Sequence, residues 1–156
     1  MKLELIGMFN TTAKEFIDKI IYVFPEININ NDEYNYNNNN ITLIDFFGNT
    51  ITKYGPCLSK KQIDHNLTEL FIFPKINLIQ IINLNPSPKT IDAMWRYIHT
   101  LMLIYSTYNA PNDNLEEIIN DWSKVLEADN NEVNGDFLES VKQQAETLFN
   151  LLRDFN

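Results

Sequence analysis

"NPSPKTIDAMWRYIHTLMLIYSTYN", residues Asn85 to Asn109, decides what kind of protein this is. Ser87 has the side chain of a good helix N-cap. Pro88 follows at the first helical position, where a missing N–H costs nothing. Behind it Ile91, Met94, Trp95, Ile98, Met102 and Tyr105 recur at helical spacing. Leu101 and Ile104 widen that stripe until the second half is apolar nearly all round. A helix of that kind is central in its domain. We therefore expect a helix over about 88–108 with other helices around it, and Trp95 in the core.

Other stretches read the same way. Thr12-Ala13-Lys14-Glu15 has the capping-box spacing. Ala13, Phe16, Ile17, Ile20, Ile21 and Phe24 continue from it, and Pro25 closes a first helix at about 11–24. "ITLIDFFGNTITKYG" fits either one helical stripe through Ile44, Phe47, Ile51 and Tyr54 or a hairpin turning at Gly48-Asn49. Helix is preferred, because an isolated hairpin is marginal. Ser59-Lys60-Lys61-Gln62 predicts another helix through Ile63, Leu67, Leu70 and Phe71 that stops at Pro74. "KINLIQIIN" suits two helical turns ending near Asn83.

Asp113-Asn114-Leu115-Glu116 caps a further helix carrying Leu115, Ile118, Ile119, Trp122, Val125 and Leu126. The last helix, about 136–155, has Leu138, Val141, Ala145, Leu148, Leu152 and Phe155 in a 3-4 seam. Phe137, Phe149 and Leu151 add apolar surface beyond that seam. One helix in a small domain has difficulty enclosing both sets. Leu148, Phe149, Leu152 and Phe155 are therefore the candidate protein-binding residues, facing a second copy or another protein. The fold expected is all-α: a single compact bundle of five to seven helices over 1–156, with an Asn-rich surface loop at 28–40.

Bulk numbers agree with one domain of 156 residues. At that size a compact fold buries roughly 70% of the unfolded surface. Hydrophobic residues make up 44%, enough for such a core. The formal net charge is −9, and the 12 basic residues are scattered. Phosphate backbones and anionic membranes demand clustered Lys and Arg, so neither is an expected partner. Cys57 is the only cysteine, which rules out an intramolecular disulfide and a cysteine-based zinc site. The 91–108 run carries Asp92, Arg96 and His99 and falls short of a membrane span. A soluble protein of a reducing compartment is expected. The 23 Asn and 20 Ile suggest an AT-rich coding sequence rather than a demand of the fold.

Catalytic chemistry is hard to find in this pattern. Four glycines form no phosphate-binding loop. His65 and Glu69 lie four apart beside Asp64, which is too few ligands to expect a metal. His99 follows Trp95 by one turn and reads as a helix histidine with a local partner. Cys57 comes after Gly55-Pro56, in an expected turn, with no neighbour in sequence to activate it. No catalytic residue, cofactor or metal is expected.

The stretch "LFIFPKINLIQIINLNPSPKTIDAMWRYIHTLMLIYS" resembles a segment of uncharacterised proteins of nucleocytoplasmic large DNA viruses, the giant viruses. The resemblance runs through Phe73-Pro74, Ile79 to Asn85, Ser87 with Lys89-Thr90, Trp95-Arg96-Tyr97 and Leu101 to Ile104. "AKEFIDKIIYVFPEI" is similar to that family's opening helix ending in Phe-Pro-Glu. Together these cover about a third of the chain. The resemblance implies a viral protein in host cytoplasm or virion and supplies no catalytic residues. The expected role is a non-enzymatic interaction or assembly protein, with a protein partner or itself as a homo-oligomer. The alternative is a host-modulating helical protein, Bcl-2-like by analogy of fold, that binds a partner helix in a hydrophobic groove beside the 88–108 helix.

Overall fold

The computed structural model describes residues 2–64 and 66–109. They form four helices and a two-stranded ribbon: α1 (Lys2–Val23), α2 (Thr42–Ser59), β1 (Phe71–Phe73), β2 (Ile76–Asn77), α3 (Leu78–Asn83) and α4 (Pro88–Asn109). Short 3-10 turns lie at Pro25–Ile27 and Asn31–Glu33. The described chain is thus mostly helical, at 69% of its residues, and the ribbon is a correction to an all-α bundle. The helices expected after Asp113 and over 136–155 lie outside the described residues.

α4 begins where Ser87 and Pro88 place it. Ser87 Oγ accepts from the Thr90 amide at 3.2 Å, and Asn85, at φ 53°, turns the chain in from α3. Seven consecutive residues, Ile98 to Ile104, are buried. At 100° per residue such a run faces every direction, so the helix is enclosed on all sides there. Trp95 is buried, with its ring 5.9 Å from that of His99. Thr100 and Thr107 are buried as well, and each donates its hydroxyl to the carbonyl one turn back, Arg96 and Leu103.

α1 starts nine residues earlier than its capping-box pattern predicts. Leu5, Phe9, Ala13, Phe16 and Ile20 form one buried stripe that runs straight through Thr12. The Thr12 hydroxyl donates to Met8 O at 2.9 Å inside the helix instead of capping it. In α2 the helical alternative holds, and Gly48 sits mid-helix. The Tyr105 ring lies against the backbone there: a Cβ at position 48 would come within 2.5 Å of it. Pro56 and Cys57 belong to the last turn of α2, so Cys57 is a partly buried helix residue and not part of a turn.

The helix expected from Ser59 to Phe71 does not form, and the same residues end α2 instead. Lys61 takes a left-handed φ of 56°, and the Gln62 amide donates back to Cys57 O at 2.9 Å, a helix C-terminal closure. Beyond the following loop, Phe71-Ile72-Phe73 prefers an extended backbone. Pro74 and Lys75 (φ 66°) turn it back, pairing Phe73 with Ile76 and Phe71 with Asn77. Asn77 then serves two elements. Its Oδ1 accepts from Ile79 N at 3.0 Å, opening α3, and from Leu70 N at 2.9 Å, fixing the start of the ribbon. Thr50 ties α2 to β1 by donating to Phe71 O at 2.7 Å.

The core is aromatic where these elements meet. Phe73 stacks on Phe47 at 5.7 Å and meets Phe9 edge-on at 6.0 Å; Phe9 and Phe47 are 5.3 Å apart. All three are fully buried.

The Asn-rich segment is pinned at several points. Asn10, buried in α1, donates through Nδ2 to Asn37 O (2.7 Å) and Asn40 O (2.9 Å). Tyr34 donates to Pro74 O, Tyr36 donates to Asn31 Oδ1 at 2.5 Å, and Asn31 Nδ2 donates to the Asp18 carboxylate. Burial first, and Glu33 second, push the Tyr34 hydroxyl up to about 12. Tyr36 is raised as well, by burial, then by Asp18 and by Tyr34. Both phenols therefore keep their protons in the folded chain after the unfolded chain has lost them, from the ordinary value of 10.0 upward. Their contribution is intact below that pH and is lost as the pH climbs toward the folded values. We expect thermal melts to shift downward above about pH 10, and the Tyr34→Phe, Tyr36→Phe double variant to show a shallower alkaline fall. Equal slopes would mean that these two phenols do not govern the loss.

Candidate functional site

α1 and α4 run antiparallel. Phe16 meets Tyr97 at 5.7 Å between ring centroids, and the end of α1 lies beside the start of α4. Between the last two turns of α1 and the first three of α4 is a groove of about 350 Å³. Phe16, Ile20, Phe24 and Met94 are buried and form its floor, with Ala93 and Tyr97 partly exposed beside them. Its lip is unusual. Tyr22 is 86% exposed and Val23 46%, two apolar side chains in the last turn of α1 with no core to enter.

The charges at the groove have one sign. Lys19 and Lys89, from opposite helices, are both exposed at its rim, and no carboxylate lines it. The Lys19 ammonium sits 4.9 Å from the centre of the Tyr97 ring, a cation–π contact that holds it over the groove wall. An apolar floor with a few convergent polar groups is the common make-up of a binding site, and this volume lies near the small end of the usual range. A second hollow of about 500 Å³ lies between the start of α1 and Asn38, lined by Leu3, Glu4, Gly7, Met8, Thr11 and Thr12. It is more open and more polar, and its one ionisable lining residue is an acid, so it has less to hold a ligand with.

None of the residues singled out from sequence is among the described residues that line the groove. Leu148, Phe149, Leu152 and Phe155 lie outside the described residues, as does His65. His99 is fully buried with Nε2 2.9 Å from Leu58 O, a bond that ties α4 to the end of α2. Among the described residues no group of three His, Cys, Asp or Glu is placed to hold a metal ion, and no helix is long and apolar enough to cross a membrane.

The sequence does contain a sign of the groove. Ile20 to Phe24 is five consecutive apolar residues at the end of an amphipathic helix, more than one buried face can take in. Lys89 gave no such sign, because its place opposite Lys19 depends on how α4 packs.

No family model, curated protein or solved structure matches the chain. What is established is the class: a mostly helical fold with a buried aromatic ribbon and an apolar, lysine-rimmed groove.

Proposed function

We propose that the chain is a non-enzymatic interaction or assembly protein, made by a large DNA virus and acting in host cytoplasm or in the virion. The observation that carries the interaction role is the α1–α4 groove, with Tyr22 and Val23 left in solvent on its lip. Exposed apolar side chains beside an apolar hollow mark contact surfaces. The viral setting rests on the sequence resemblance, with the Asn- and Ile-rich composition in its support. The finer architecture, five to seven helices around α4, belongs to the same reading: it needs the helices expected after Asp113 and over 136–155.

A second reading, a host-directed domain that accepts a partner helix, is favoured by one feature. The groove lies beside α4, where such a partner would sit. The two readings differ in what touches the lip. Replacing Tyr22 by the photo-crosslinker p-benzoylphenylalanine, in the full chain expressed in the cells that make it, should give a discrete protein adduct on irradiation. The same probe at Asn39, an exposed loop position, should give none. A viral protein or a second copy in the adduct supports assembly, and a host protein supports the second reading. No protein adduct at Tyr22 overturns both.

A further inference from the structure

The hollow between α1 and α4 is smaller than the apolar surface around it. Its volume is about 350 Å³, yet Tyr22 and Val23 on the lip stand 86% and 46% exposed beside the buried floor. A compact ligand that filled the hollow would leave those two side chains in water. Something broader is needed to cover floor and lip together. The walls limit its form. Both are α-helices, whose backbone groups are bonded internally, and neither offers a strand edge. An extended peptide laid over Phe16, Ile20 and Met94 would press its own N–H and C=O groups, unpaired, against an apolar floor, which is unfavourable. A helix brings its backbone bonds with it, and at about 10–12 Å across it spans hollow and lip together.

Charge narrows the occupant further. No carboxylate lines the groove, and neither Lys19 nor Lys89 belongs to an ion pair among the described residues. Lys19 sits over Tyr97, which is eight residues along α4 from Lys89, about 12 Å at the helical rise. One cation therefore stands on each wall, about two turns apart along the groove. We propose, resting on the interaction reading above, that the groove takes an acidic amphipathic helix of a partner protein. Its apolar stripe lies between Phe24 and Met94, and a carboxylate on each flank of that stripe faces Lys19 or Lys89. The stripe supplies the affinity, and the flanking acids fix direction and register.

The test is calorimetric titration of the full-length chain with three synthetic helical peptides. One has an apolar stripe flanked by glutamates, the second has the same stripe flanked by lysines, and the third is the glutamate peptide scrambled so that no stripe forms. The net charge of −9 favours the basic peptide wherever no specific cation is met, so an acidic preference is diagnostic. The acidic peptide is expected to bind about tenfold more tightly than the basic one, because two exposed pairs are attractive in one and repulsive in the other. The scrambled peptide should not bind. Lys19 and Lys89 are both exposed, so the Lys19→Glu, Lys89→Glu variant keeps its core, and it should reverse the order of the first two peptides. Absence of saturable binding by the acidic peptide overturns the proposal. So does equal or tighter binding of the basic or the scrambled one, or an order that the variant leaves unchanged. Decanoate that binds where neither striped peptide does would reassign the groove to a small amphiphile. The Tyr22 crosslink separates the levels: a protein adduct alongside failed peptides leaves the interaction role standing while this recognition fails.

Discussion

Phe73→Ala is expected to remove about 3–5 kcal/mol of stability, a large part of the 5–15 kcal/mol or so that a domain of this size possesses. Phe73 lies on a strand of three residues, yet its ring touches three others. It stacks on Phe47 of α2 at 5.7 Å and meets Phe9 of α1 at 6.0 Å and Phe16 of α1 at 6.3 Å. Each aromatic pair adds about 0.5–1.5 kcal/mol to the area it buries. The cavity left by truncation would be bounded by two helices whose own rings need that partner, so collapse into it is limited. Phe71, on the same strand and only partly buried, is the internal control. Phe71→Ala should cost on the order of 1 kcal/mol. Urea unfolding of both variants checks this. A Phe73 variant within about 1 kcal/mol of the parent would show that the ribbon decorates the core without closing it.

The ribbon is also where sequence and structure part most clearly. α4 was legible because Ser87, Pro88 and the stripe from Ile91 to Tyr105 all favour the same element, and tertiary packing had nothing to override. The 59–74 stretch was not. Ser59-x-x-Gln62 has capping-box chemistry, but a Ser near a helix end is compatible with either terminus until the backbone is known. Here Lys61 enters the left-handed region and makes it a C-terminus. Ile63, Leu67, Leu70 and Phe71 kept a helical period by coincidence, because Leu70 and Phe71 are spaced to suit a ribbon as well. Thr12 misled in the same way, since a threonine can bond to a carbonyl within its own helix as readily as it caps a new one. The groove was half legible. Its surplus of apolar residues at Ile20 to Phe24 can be read along one helix, whereas the pairing of Lys19 with Lys89 exists only across two.

Asn10 to Asp is the substitution expected to act most strongly for its size. Asn10 is fully buried, and its Nδ2 donates to Asn37 O and Asn40 O, holding the two residues that flank the Asn38–Asn39 turn ahead of α2. Its own Oδ1 accepts no hydrogen bond from the described residues, so the amide is there for its donors. Asn10→Asp leaves the shape unchanged and replaces that NH₂ with an oxygen. At neutral pH a buried carboxylate would then face two carbonyl oxygens, at a cost of about 3–5 kcal/mol. The carboxyl escapes part of that cost by staying protonated, which raises its folded pKa above the unfolded value near 3.9. A group raised in this way destabilises little below the unfolded pKa and progressively more as the pH climbs through the folded one. Near pH 4 the neutral acid can still donate one of the two bonds, and the loss should shrink to about 1 kcal/mol. Paired urea titrations of parent and variant at both pH values isolate that difference from the pH dependence of the parent. A loss that is the same at both values would mean that water reaches position 10. The Asn37 and Asn40 carbonyls would then be solvated in the variant, and the loop would be held by Tyr34, Tyr36 and Asn31 instead.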